Sequence, residues 1–540
     1  MFRPIHQRIV MFAADWIAFH ADRTPDKIAL IDQASGRQYD YATFNDRAAR
    51  LAVALRDLWG VERGDRLAIF AKNSSEYFEF QWACAKLGAL MLPINWRLAQ
   101  PEIAFILRDA DVRGIAYDAE FAARMPELCA AMPAMGTLCI DPVPGMDTRT
   151  DSVSRPYDDA PRYESVLAGA SERAIFDPQT THDTPVILMY TAGTTGHPKG
   201  VIITHGMMLW NAVNITTPTG LSFKSTQYVV LPTFHIGGLN LYANPLFHLG
   251  GTVLVARQFD PALTLRTLSD PTLNVTHFFG VPSIYQFMSQ HPDFYQTDLS
   301  RIISWGCGGA PMPVTILEQY ARRKIIIQLG FGMTETSPTV FFIDKRRALK
   351  KPTSVGKPLL HTRVRIVDDD FCDVPPGAVG EVVIAGPNVT PGYWNRPDAN
   401  HDSFTRDEHG ERWLHSGDAG MIDGDGCIYI VDRYKDMYIS GGENVYPAEV
   451  EQVIYQLEGV AEAAVIGVPD LRWGECGVGI VALKPGTALT AEQIIAYCRA
   501  NLAAFKVPKS IQFVDALPRN AAGKVLKREL RTQFVAQPTL

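Results

Sequence analysis

The chain has 540 residues, 47% hydrophobic and 20% charged, which is too long for one compact core and apolar enough to bury several. Its net charge of −7 excludes a global attraction to nucleic acid or to an anionic membrane, so any basic site is local. The eight cysteines are scattered without a C-x-x-C pair, which reads as reduced thiols in a cytoplasmic chain and argues against a structural zinc site. Residues 1–19 are interrupted by Arg3, His6, Gln7, Arg8 and Asp15, unlike a signal peptide, and no stretch approaches the ~18 apolar residues of a spanning helix.

From Asp15 to about Ile140, helical patterns alternate with short apolar runs such as 66–71 and 88–93, which predicts a parallel sheet with crossover helices. Between Pro142 and Asp183 the chain turns rich in Pro, Asp, Ser and Arg and reads as a surface connection. It leads to Met189-Tyr190-Thr191-Ala192-Gly193-Thr194-Thr195-Gly196-His197-Pro198-Lys199-Gly200, held between the apolar runs 186–188 and 201–203. Glycines let backbone N–H groups approach an anion, threonines add hydroxyl donors and Lys199 adds a positive point charge: the parts of a triphosphate cradle. It is not a Walker loop, because Gly200 stands where that pattern has a hydroxyl. A plain Gly/Thr-rich solvent loop is the alternative.

The stretch resembles the phosphate-binding signature of the acyl-adenylate-forming superfamily, with Ala192 where relatives more often carry Ser or Thr. Further segments match that family in order. After Pro232-Thr233-Phe234, a helical continuation would set His235, Leu239 and Tyr242 on one face. A lone His on an apolar face is usually a core residue, but the resemblance puts it beside the acyl pocket, where amino-acid-activating relatives carry Asp; the substrate is therefore expected to lack an α-ammonium group. Phe278, Phe279 and Gly280 end one strand and Gly309, Ala310 and Pro311 follow another; the resemblance packs the latter loop on adenine. The apolar run 325–329 is expected to deliver a loop, Gly330-Phe331-Gly332-Met333-Thr334-Glu335, to the carboxyl end of a sheet, where ligands bind in open α/β folds. It resembles the family's Y-G-x-T-E signature with Phe331 in place of Tyr, and implies that Thr191 and Glu335 share Mg²⁺.

Alternating runs at 363–367 and 380–384 predict a smaller antiparallel β unit. Asp418 follows a strand and Gly417, a setting in which a carboxylate can take both ribose hydroxyls, or form a plain Asx turn. The charge run Asp432–Asp436 resembles the junction of the family's two domains, which implies that Arg433 touches ribose or phosphate and that Lys435 is the pivot. Beyond it, helices near 448–456 and 490–503 with strands at 463–467 and 478–482 predict a compact α+β unit. Lys524, near Gly523 and otherwise an unremarkable surface lysine, matches the family's final motif and is implied to be catalytic.

The expected fold is α/β: a large N-terminal domain, residues 1–432 with subregions of about 1–180, 181–350 and 351–432, built of parallel and mixed sheets flanked by helices plus a small β unit. A hinge at 433–436 and a small mobile α+β domain at 437–540 complete it. The expected activity is that of an AMP-forming carboxylic acid–CoA ligase using ATP, Mg²⁺ and coenzyme A, with Lys524, Lys199, Glu335 and His235 catalytic. The acyl pocket is assigned to Phe234, His235, Leu239, Tyr242, Phe278, Phe279, Gly280 and Gly332, which fits an aryl acid or a medium-chain fatty acid. Coenzyme A is assigned to Ser440, Gly441, Gly442, Trp473, Phe505 and Lys509, with Lys506 beside them. The partners are therefore small molecules, with neither nucleic acid nor a membrane span, and a homodimer is the commonest assembly for such a chain. A stand-alone enzyme loading a carrier protein, a nucleotide-binding relative without catalysis, and a P-loop ATPase are the rivals.

Overall fold

The computed structural model describes residues 15–142, 157–170, 176–191, 198–433, 436–440, 443–470, 473–520 and 523–535. Two large sheets form the N-terminal part. The first runs in the order Thr339–Phe342, Ile327–Gly332, Ser304–Cys307, His277–Gly280, Thr226–Val229, Thr252–Val255, Ile28–Asp32 and Gln38–Asp40. Its interior strands are parallel and a strand folded back antiparallel closes each edge. The second runs Gly136–Ile140, Val112–Asp118, Arg66–Phe70, Leu90–Pro93, Pro185–Thr191 and Lys199–Thr204, parallel except for the last pair. Crossover helices make such sheets possible, because parallel strands need a long return connection.

The helix Ser75–Leu87 contacts strands of both sheets and every one of its residues is buried, as expected of an element with no solvent face. Its charged residues find partners: Glu79 takes Arg47 at 2.8 Å and Lys86 takes Asp15 at 2.6 Å. The Tyr163 hydroxyl also donates to Glu79, at 2.9 Å. That contact corrects the expectation of a surface connection over 142–183: the helix Tyr163–Gly169 inside it buries Tyr163 and Leu167 completely or nearly so. The local composition is polar, but two apolar side chains at helical spacing are enough to bring the segment onto the core.

The smaller β unit is antiparallel, in the order Arg363–Val367, Val379–Ala385, Arg412–Ile422 and Phe404–Arg406, with Ile428–Arg433 on Arg412–Ile422. The C-terminal α+β unit has the order Glu443–Val445, Tyr438–Ser440, Gly474–Leu483 and Val460–Asp470, with Ser510–Phe513 parallel to Gly474–Leu483. The helices Pro447–Ile454 and Ala491–Asn501 cover it. Among the described residues no helix is long and apolar enough to cross a membrane.

Candidate functional site

The strands Pro185–Thr191 and Lys199–Thr204 form an antiparallel pair that sets Thr191 opposite Lys199, with the Thr191 hydroxyl donating to the Lys199 carbonyl at 3.5 Å. Gly193, Thr194, Thr195 and Gly196, between them, lie outside the described residues. A distant segment lies along the outer strand: the Ile202 amide donates to Gly392 O at 3.1 Å, the Trp394 amide to Gly200 O at 2.7 Å and the Thr390 hydroxyl to Ile202 O at 2.6 Å. This places Tyr393 between two residues expected to be catalytic. Its hydroxyl donates to Glu335 Oε1 at 2.9 Å, and its ring centroid is 5.3 Å from Lys199 Nζ. Glu335 stands on the single turn Thr334–Thr336, only 7% exposed, with its carbonyl accepting from the Thr390 amide at 2.8 Å. Burial, then the adjacent carboxylate, pushes the Tyr393 phenol above its ordinary range, so it remains a donor. Nothing in the sequence around Tyr393 signals this role, since its neighbours Gly392 and Trp394 show no period.

On the opposite side, Gly308 runs against the backbone of Gly330, where an added Cβ would stand 2.8 Å from the Gly330 carbonyl. Gly309, at φ +83°, turns the chain into Ala310 and Pro311. The expectation of a loop at 330–335 is corrected in part. Gly330, Phe331 and Gly332 continue the strand Ile327–Gly332, opposite Phe342, Phe341 and Thr339. Backbone pairing from the returning strand extends it, and the turn begins at Thr334. Gly332 is required there, since a Cβ would fall 1.8 Å from Pro338 O. One face of the Phe331 ring is taken by Phe341, at 5.8 Å, and Met333 packs into the same cluster.

Asp418 also sits differently from expectation. It lies within the strand Arg412–Ile422, opposite the backbone of Arg433, at a point where the register shifts. Gly417 at φ +69° makes the irregularity, and its amide donates to Glu381 Oε1 at 2.9 Å. Asp418 is 5% exposed, and its amide donates to the Ser416 hydroxyl at 3.1 Å.

In the acyl-pocket region the continuous helical face does not form. The helix Ile236–Leu239 ends at Asn240, and Tyr242 precedes the separate helix Ala243–Leu249 as its cap. Paired glycines at 237 and 238 explain the break, and a Cβ on Gly238 would meet Pro232 O at 2.2 Å. Phe234, Leu239 and Tyr242 are buried nonetheless. The Tyr242 ring meets Phe279 edge-on at 5.8 Å, and both close over Gly306, whose added Cβ would touch Phe279 at 2.5 Å and the Tyr242 hydroxyl at 2.6 Å. Phe278 points the other way, as strand alternation demands, and packs on Trp305 at 5.6 Å and Tyr285 at 5.9 Å. It is a core residue, which corrects its place in the pocket. The Cβ position of Gly280 is closed by Ile284 at 3.0 Å. The His235 ring lies tilted against Phe234, 4.7 Å between centroids, and its buried Nε2 has no hydrogen-bond partner among the described residues. Burial, then the Arg97 charge, pushes its pKa down to about 4, so it is a neutral imidazole at neutral pH. Arg97 lies over Trp96 at 4.1 Å and Phe234 at 5.7 Å.

The Lys524 hairpin reaches this region. The Asn520 amide donates to Lys524 O at 2.8 Å and the Lys524 amide to Asn520 Oδ1 at 2.9 Å. Gly523, at φ +78°, lies so close to the large unit that a Cβ there would stand 3.0 Å from Val281 Cγ2 and 3.1 Å from Ser283 Oγ. A cavity of about 130 Å³, lined among others by Trp96, Arg97, Pro232, Arg257, Val281 and Gly523, spans the contact. Of the residues assigned to coenzyme A, Ser440 is paired with Gly474. The exposed Trp473 and Lys509 share Asp470, which accepts the Trp473 amide at 3.0 Å and pairs with the Lys509 ammonium. Phe505 stands apart on the turn Ala504–Lys506, where Lys506 pairs with Glu449 at 2.7 Å. Gly441, Gly442 and Lys435 lie outside the described residues, as does the side chain of Arg433.

A lysine, a carboxylate and glycine-lined backbone gathered at the carboxyl ends of parallel strands have the makings of a nucleotide site. Comparison with known proteins agrees. Residues 17–394 match the family described as AMP-binding enzyme, and residues 449–524 match the AMP-binding enzyme C-terminal domain. The chain belongs to this family of AMP-binding enzymes. A feruloyl-CoA synthase of Amycolatopsis sp is 39% identical over 519 residues, 96% of this chain and 98% of that protein. An indoleacetate–CoA ligase of Aromatoleum aromaticum is 34% identical over 98% of this chain and 99% of its own. Among solved structures, ATP-bound MatB from Rhodopseudomonas palustris superposes with a TM-score of 0.85 at 28% identity, over 96% of this chain and 99% of that one.

Proposed function

We propose that this AMP-forming acid–thiol ligase activates an aromatic carboxylic acid as its adenylate beside Lys199 and Glu335, then passes the acyl group to coenzyme A. The observation that carries the reading is the seating of Gly523 against Val281 and Ser283, with Lys524 next in the chain, at the end of the strand that also carries Phe279. A carboxylate is a poor electrophile, and its attack on the α-phosphate of ATP joins two anions. Positioning and positive charge therefore do most of the work. Lys524 and Lys199 supply that charge in this reading, and the glycine backbone at 308–309 and 330–332 lets a flat base lie close. Asp418 and Arg433 serve the ribose side. Glu335 and Thr191 offer a carboxylate and a hydroxyl, hard oxygen donors of the kind Mg²⁺ takes together with phosphate oxygens, so the donor set fits that ion. When bound, Mg²⁺ offsets charge on the phosphate oxygens.

The flat edge-to-face pair Tyr242–Phe279 over Gly306 suits an aromatic ring, and the neutral His235 offers no charge to an ammonium or a second carboxylate. The feruloyl and indoleacetyl names of the two relatives point the same way. For the second half-reaction, a hinge at 433–436 withdraws Lys524 and brings the face bearing Ser440, Trp473 and Lys509 toward the adenylate. Purified protein given MgATP, coenzyme A and a panel of ferulate, cinnamate, indoleacetate and octanoate should release AMP and pyrophosphate and form thioesters fastest with the aryl acids. Preference for octanoate would overturn the substrate class, ADP release would overturn the chemistry, and turnover with a phosphopantetheinylated carrier but not coenzyme A would move the acceptor.

A further inference from the structure

Lys199 and Glu335 carry opposite charges in one small region, and two such side chains ordinarily close on each other as an ion pair. An ion pair there would cancel both charges before nucleotide arrived. One side chain stands between them. The Tyr393 hydroxyl donates to Glu335 Oε1 at 2.9 Å while its ring holds Lys199 Nζ at 5.3 Å from the centroid. The phenol is held by backbone on both sides: Tyr393 bridges Val201 and the Trp394 amide donates to Gly200 O at 2.7 Å. Its own amide donates to Asn400 Oδ1 at 2.7 Å. The residue is 8% exposed, so its rotamer is fixed by packing.

We infer that Tyr393 is a positioning residue, a spacer that keeps Lys199 and Glu335 apart and separately oriented so that the ammonium meets phosphate and the carboxylate meets the cation that accompanies it. The hydroxyl and the ring have different tasks. The hydroxyl aims the carboxylate and matters for nucleotide bound with Mg²⁺. The ring bars Lys199 from Glu335 and matters for nucleotide with or without the ion. A cation over a phenol face is attracted without being neutralised, which a carboxylate partner would not allow.

The inference rests on the assignment of Lys199 and Glu335 to the nucleotide site, so controls on those residues separate the two. Binding of ATP is measured by calorimetry with Mg²⁺ and with EDTA, on the full chain. Tyr393→Phe should weaken MgATP binding about fivefold, because the carboxylate loses the donor that aims it, and leave ATP in EDTA unchanged. Tyr393→Ala should weaken both by about tenfold or more, and Glu335→Gln in the Tyr393→Ala background should restore the affinity for ATP in EDTA by removing the carboxylate on which Lys199 closes. Equal effects of Phe and Ala in both conditions, or no recovery in the double variant, overturn the spacer. If Lys199→Ala and Glu335→Gln alone leave MgATP binding untouched, the site reading fails instead. Should Tyr393→Ala not fold, the Phe variant decides by its difference between the two conditions.

Discussion

Lys524 shows how much a single position can be asked to do. Its backbone is fixed by paired bonds with Asn520, 2.8 and 2.9 Å, and the Arg519 guanidinium donates to Gly523 O at 2.7 Å. Arg519 is in turn anchored by Glu462 at 2.7 Å. The backbone at Asn520, Gly523 and Lys524 is therefore tied down, and in the proposed reading an ammonium there would serve the adenylate-forming step with little reorganisation. Lys524→Ala should cut acid-dependent ATP–pyrophosphate exchange by about a hundredfold to a thousandfold, the usual cost of one preorganised charge partner. Thioester formation from synthetic acyl adenylate should persist near the original rate, and parallel loss of both steps would show that the lysine is structural. At this scale the sequence marks a candidate where a residue sits in a spaced motif, as Lys199, Glu335 and Lys524 do. Tyr393 carries no such mark, because its partners are brought to it by strand pairing across nearly two hundred residues.

Three histidines, His205 and His277 buried and His235 half-buried, open or precede regular elements: His205 begins the helix His205–Thr219, His277 begins the strand His277–Gly280, and His235 precedes the helix Ile236–Leu239. His277 is tied to Thr276 at 2.9 Å and to Thr219 O at 3.0 Å, while the Nε2 atoms of His205 and His235 are buried without partners among the described residues. Burial pushes all three from 6.5 down to about 4. A histidine of lowered pKa binds fewer protons folded than unfolded, so its contribution is full above 6.5 and is lost as pH falls toward about 4. Unfolding free energies from urea titration should hold from pH 8 to 7 and then drop, by at most about 1.4 kcal/mol per pH unit for each histidine, and His277→Gln should flatten that slope. A slope unchanged in the variant would show that His277 takes no part in the loss of stability on the acid side. Elements were read well where a short continuous apolar run is buried on both faces of a parallel sheet, as in the strands 66–70 and 90–93. The face expected of His235, Leu239 and Tyr242 failed because spacing alone cannot see Gly238 pressed on the Pro232 carbonyl. The helix Tyr163–Gly169 is hard to see in the sequence because its buried face is only two side chains wide.

The chain passes from the large unit to the small one between Arg433, whose strand pairs with Arg412–Ile422, and Tyr438, whose strand pairs with Glu443–Val445. Among the described residues, the apolar clusters of the C-terminal unit contain none from the large one. Polar contacts join the two: Gln286 Nε2 donates to Ala461 O at 2.8 Å, Gln452 Nε2 to Met312 O at 3.2 Å, and the Ala448 amide to Asp432 Oδ2 at 2.8 Å. Such contacts exchange with water at little net cost, so the docked arrangement is one that rotation can leave. The hinge reading places that rotation at 433–436, and Lys435→Pro tests it by restricting φ there. Exchange of pyrophosphate into ATP should survive in the variant, since the docked arrangement already seats the Lys524 hairpin. Thioester formation from synthetic acyl adenylate should fall about a hundredfold, because the face bearing Ser440 and Trp473 can no longer turn inward. A second protein, with the natural hinge and a crosslink between Gly523→Cys and Ser283→Cys, holds the same docked arrangement by other means, since a Cβ at 523 would stand 3.1 Å from Ser283 Oγ. It too should keep exchange and lose the second step. Full thioester formation by either protein would mean that both half-reactions run without the domain turning.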